Sequence, residues 1–146
     1  MNRSIAAGLG ALTLAVVVLL LGLVIASPAP AAHPTTYGVQ KCSKPRVEPK
    51  MIVLTCADVG LFVKMKKWTH WNGHNGAGKG TVYAKQCVPD CASGHYETYA
   101  AKVKVTKPRK RTCNGRKGLR MFTRIKFDFK GGTPSNVPTK GSMDCY

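Results

Sequence analysis

The sequence predicts an all-β domain: a small antiparallel β-sandwich or barrel-like fold stapled by disulfides, following an N-terminal signal helix. Three observations predict it. Beyond residue 31, apolar and polar residues alternate with a period of two, most clearly where Leu119, Met121, Ile125, Phe127 and Phe129 face in while Arg120, Arg124, Lys126 and Lys130 face out. No segment of that part has a convincing 3.6-residue period. All six cysteines, an even number, also fall there.

The chain reads as three stretches: a signal at 1–31, a linker at 32–49 and a β domain at 50–146. Arg3 precedes an uncharged apolar run of 22 residues, Ile5 to Ala26, and small residues follow it. Ala29-Pro30-Ala31 is a small-x-small pattern of the kind a signal peptidase reads, which places the cut after Ala31, with Ala26 and Ala32 as alternatives. The same run is long enough to cross a hydrocarbon core of about 30 Å uncleaved, so a tether on the outer face of the cytoplasmic membrane stands beside release. Prolines 34, 45 and 49 argue against regular pairing in 32–49.

An exported chain with six cysteines is expected to form three disulfides, because its compartment lacks thiol reductants. Sequence-local pairing favours Cys42 with Cys56, Cys87 with Cys91, and Cys113 with Cys145 out of fifteen connectivities. A loop of about 15 residues closed this way is worth about 3 kcal/mol. Short strands are expected at Met51 to Cys56, Leu61 to Trp68, Thr81 to Cys87, Tyr96 to Thr106 and Leu119 to Lys130, with Phe62, Lys64, Lys66 and Trp68 sharing one face.

Several motifs carry chemistry on paper. Gly73 to Thr81 resembles a phosphate loop, yet the residues after it alternate like a strand where the chemistry needs a helix N-terminus, so a glycine-rich hairpin connection is expected over Asn72 to Gly80. His70, His74, Cys87 and Cys91 mirror a zinc finger in reverse order, but thiolates are lost to disulfides in an oxidising compartment and no metal is expected. His95 and Glu97 lie two apart near many cations, which is the kind of set a secreted ribonuclease uses.

Charge stands furthest above background. Without Arg3 the chain has 22 Lys and Arg against six acids, a net charge of +16. Eleven of those cations run without an acid between Glu97 and Asp128: Lys102, Lys104, Lys107, Arg109, Lys110, Arg111, Arg116, Lys117, Arg120, Arg124 and Lys126. Lys102 and Lys104 alternate with Val103 and Val105, so a sheet would gather them on one face, with Lys64 and Lys66 as contributors. Such a surface attracts polyanions such as anionic lipid, wall polymer or nucleic acid.

Leu54-Thr-Cys-Ala-Asp58, Trp68, Trp71, Gly76-Ala-Gly-Lys-Gly-Thr81, Cys87-x-Pro-x-Cys91-Ala-x-Gly94-His95-Tyr96 and Phe122-Thr-Arg-Ile-x-Phe127 together resemble small secreted, cysteine-rich proteins of actinobacteria, over about Pro45 to Phe129. The resemblance implies export and an all-β domain and transfers no catalytic residue. The expectation is therefore a secreted or envelope-associated, non-enzymatic protein that binds an anionic cell-envelope component or other polyanion through the eleven cations, without a cofactor. A ribonuclease-like hydrolase using His95 and Glu97, or an inhibitor or protein-interaction module, are the alternatives.

Overall fold

Eight short to long strands follow one another in residues 34–146, the part of the chain that the computed structural model describes. The expected signal at 1–31 lies outside the described residues. β1 (Gly38–Gln40) and β2 (Lys44–Arg46) form a two-stranded hairpin. β3 (Met51–Val53), β4 (Leu61–Trp71), β5 (Gly76–Lys85), β6 (Tyr96–Cys113), β7 (Arg116–Phe129) and β8 (Lys140–Ser142) form one antiparallel sheet in which every neighbour in space is a neighbour in sequence. Consecutive antiparallel strands need only tight connections, which is why Asn, Gly and Asp punctuate the chain between apolar runs.

The sheet curls into a half-barrel whose inner face is the core. Val63, Val82, Val103, Val105, Ile125 and Phe127 alternate inward from four strands and are buried, with Ile52 at one edge and Met143 beyond the other. Curling brings the ends of the sheet together: a Cβ on Gly141 of β8 would lie 3.5 Å from both Ile125 of β7 and Leu54, just past β3. A second, smaller cluster of Val39, Cys113 and Met121 anchors β1 under the far end of β6 and β7.

All three expected disulfides are present, Cys42–Cys56, Cys87–Cys91 and Cys113–Cys145. Part of the stretch expected to be linker is folded. Pro45 sits opposite Val39 in a two-stranded ribbon, where a missing N–H is tolerated because one side has no ladder to complete. The two tryptophans hold this segment down: Trp71 donates its indole N–H to the Thr36 carbonyl at 2.8 Å, and Trp68 to that of Pro49 at 3.1 Å. Tyr37 adds a backbone bridge to Met121.

β4 departs from simple alternation. Its pairing with β5 slips between Met65 and Lys67 and again between Trp68 and His70. Each extra residue reverses the faces that follow it. Trp68, expected beside Phe62 and Lys64, therefore packs with Trp71 against the core, and the two indoles meet edge to face at 4.6 Å. β5 accommodates the bulged strand by presenting Gly76, Gly78 and Gly80 at inward positions, where a Cβ would meet the Trp71 ring, the Lys67 carbonyl and the Lys64 carbonyl at 2.6, 2.4 and 2.8 Å. The glycine-rich stretch is thus mostly strand, and the connection shrinks to Asn72–Asn75, capped by the Asn72 carboxamide.

Two connections carry acids with a pH signature. The Ser93 backbone N–H and hydroxyl hold the Asp90 carboxyl below its ordinary 3.8, and the Gly60 N–H with the Thr55 hydroxyl does the same for Asp58. A depressed folded-state pKa stabilises the fold above the unfolded value and ceases to do so as pH falls through the folded one. Thermal midpoints are therefore expected to drop below about pH 4, and Asp90→Ala to flatten that acid limb in melts recorded from pH 6 to 2; an unchanged limb would remove Asp90 from it.

Candidate functional site

The outer face of the sheet collects cations because register, rather than sequence proximity, sets the neighbours. One row across the strands reads Lys67, Lys79, Lys102 and Asp128; the next reads His70, Ala77, Lys104, Lys126 and Lys140. Cross-strand neighbours are about 4.8 Å apart, and rows about 6.8 Å apart along the strands. Four cross-strand partnerships among the described residues join lysine to lysine: Lys67 with Lys79, Lys79 with Lys102, Lys104 with Lys126, and Lys126 with Lys140.

Between these side chains lie two adjoining shallow depressions of ≈ 500 and ≈ 490 Å³. Lys79, Lys102, Lys104 and Lys126 border the first, and Lys66, Lys79, Lys102 and Lys130 the second, over a floor of small residues that includes Ala77 and Ala100. Lys79, Lys102 and Asp128 form the wall they share. Asp128 lies 3.5 Å from the Lys102 ammonium, both side chains being largely exposed. It is the one acid at an outward position of the described strands: Glu97 points inward on β6, and the other four lie in connections or after β8.

At one end the lysines meet aromatic rings. Phe62 and Tyr83 stack at 4.7 Å, Tyr96 meets Phe62 edge-on, and the Lys64 ammonium lies 4.9 Å from the centre of the Tyr83 ring. Phe62 is buried there on the outer side, and Tyr96 is tied down by its hydroxyl to the Val59 carbonyl.

The eleven cations singled out by sequence fall into three places. Lys102, Lys104, Arg124 and Lys126 lie on the outer face. Lys107, Arg109, Lys110, Arg111, Arg116 and Lys117 lie on the arm that β6 and β7 form beyond the reach of β5, whose last partner is Val105. Arg120 is half-buried and donates from Nε and Nη2 to the Gly73 carbonyl at 3.3 and 3.2 Å, closing the β4–β5 turn against β7. Lys67, Lys79, Lys130 and Lys140, which join the outer face from outside the counted run, are not part of that sequence-based set; Lys79 was hidden inside the glycine motif.

No family model, curated protein or solved structure matches the chain.

The remaining motifs are placed differently. Glu97 accepts a hydrogen bond from the Tyr99 hydroxyl, and this bond raises the Tyr99 pKa above its ordinary value; the hydroxyl also reaches Asn136, which acts the other way. His95 is exposed just before β6, and among the described residues no hydrogen bond links its ring to Glu97. Cys87 and Cys91 are bonded to each other, and the His70 ring pairs with Asn75 in the same turn.

Proposed function

We propose that this is an exported, non-enzymatic protein that holds an anionic polymer or surface against the outer face of its sheet, in the extracellular space or at the cell envelope. Three intramolecular disulfides are what a chain in an oxidising compartment carries, and the charged start, long apolar run and small-residue exit of 1–31 have the make-up of an export signal. The single observation that carries the reading is the run of lysine opposite lysine across four strand pairs. Like charges directly opposite destabilise a sheet, and solubility alone is served by interspersed signs. A ligand that neutralises the rows offsets that cost.

Binding by such an array releases counterions, so affinity for a polyanion probe such as heparin, single-stranded DNA or anionic vesicles is expected to fall by a factor on the order of 10^2 to 10^3 between about 50 and 200 mM salt. Equilibrium titrations across that range test it. An affinity indifferent to salt, or no binding to any of the probes at low salt, would sink the reading.

A further inference from the structure

The lysine rows attract any polyanion, but the acid among them does not. A face selected for charge alone gains nothing from Asp128, which stands where the two depressions meet and subtracts from the potential of both. Directly opposite Lys102 its charge offsets part of the repulsion within the row, but an exposed ion pair of this kind adds little to stability. A carboxylate on the wall shared by two lysine-bordered depressions is a hydrogen-bond acceptor, and it suits a ligand that carries a donor between two anionic groups.

The spacing narrows the ligand further. Each depression lies to one side of the Lys79–Lys102–Asp128 row, and rows along the strands repeat at about 6.8 Å. Consecutive phosphates joined by a three-carbon linker span that distance. The cations bordering both depressions are lysines, point charges suited to phosphate without the planar fork of arginine. The floor includes small residues, and at the aromatic end the ring faces of Phe62 and Tyr83 are taken up by each other and by Lys64, which leaves the partly exposed Tyr96 ring there and no row of rings on which successive bases could stack along the depressions.

Resting on the anion-binding reading above, we infer that the ligand is a polyol-phosphate polymer: consecutive phosphates occupy the two depressions, and the hydroxyl of the intervening polyol donates to Asp128. Lys79 and Lys102, shared by both depressions, bridge the two phosphates. Asp128 is then the residue that separates this polymer from other polyanions, by attracting its hydroxyl and repelling chains that have none.

The test compares two synthetic polymers matched in phosphate count, poly(glycerol phosphate) and poly(1,3-propanediol phosphate), which differ only in the hydroxyl. Fluorescence anisotropy with the full chain, its three disulfides formed, is expected to show about tenfold preference for the glycerol polymer. Asp128→Ala is expected to abolish that preference while binding the propanediol polymer more tightly. Single-stranded DNA and phosphatidylglycerol vesicles are expected to compete only weakly. Equal affinity of the parent for the two polymers, or stronger binding of DNA or vesicles than of the glycerol polymer, would overturn the inference and leave the anion-binding reading standing. Absence of salt-sensitive binding to every probe would remove both.

Discussion

Replacing Lys79, Lys102, Lys104 and Lys126 together with Gln is expected to weaken polyanion binding by about 10^2- to 10^3-fold at physiological salt. A cation held near an anionic surface contributes about 1 kcal/mol, so four neighbouring ones amount to about 4 kcal/mol, or roughly three decades at 1.4 kcal/mol per decade. The slope of log affinity against log salt should become shallower by about three, at about 0.7 per phosphate contact on a flexible chain. A control of equal charge, Lys41, Lys44, Arg46 and Lys50 changed to Gln, removes four exposed cations from the β1–β2 hairpin and its flanks. It is expected to cost less than tenfold. Comparable losses in the two variants would mean that net charge, not the outer face, does the binding.

The same quadruple variant should keep or raise its thermal midpoint. Lys79–Lys102 and Lys104–Lys126 are like-charged partners across the ladder, and neutral pairs there relieve repulsion. Affinity and stability thus move in opposite directions, a combination that partial unfolding cannot produce. A midpoint lowered along with affinity would instead make these lysines structural.

What was legible in the sequence depended on the range of the interaction that sets it. Strands β6 and β7 were readable because period-two burial is written in consecutive residues: Val103, Val105, Ile125 and Phe127 are all buried, with Lys102, Lys104 and Lys126 exposed between them. The disulfides were readable because each bridge is local along the chain. The β1–β2 hairpin was not, since its stability comes from indole bonds donated by Trp68 and Trp71 to Pro49 and Thr36, contacts that span up to 35 residues. The lateral membership of the lysine face was hidden for the same reason. Lys79 becomes a neighbour of Lys102 only through the β5–β6 register, and Lys67 reaches the row only because a bulge moves it there. Counting a contiguous run found four of the outer-face cations and added six that lie on the arm.

The bulge also makes the fold and the face inseparable, and Gly78→Ala is the substitution that exposes this. The new methyl would sit 2.4 Å from the Lys67 carbonyl oxygen and 3.0 Å from the Trp68 Cα, both backbone atoms that cannot rotate away. Either β4 lifts off β5 or the bulge is pulled out of register. Lifting breaks ladder hydrogen bonds and loosens Trp68 and Trp71 from the core, so the cost is expected at about 3 kcal/mol, the upper part of the overpacking range, or a fall of roughly 10–20 °C in thermal midpoint. Ala77→Ser, one residue away on the outward side, is expected to change the midpoint by less than about 0.5 kcal/mol equivalent. If Gly78→Ala folds, slipping the register carries Lys67 away from Lys79, and polyanion affinity per folded molecule should fall with it. A Gly78→Ala protein as stable as the parent would mean that β4 and β5 do not approach as closely as Lys67 and Gly78 require, and the lysine row built on that approach would fall with it.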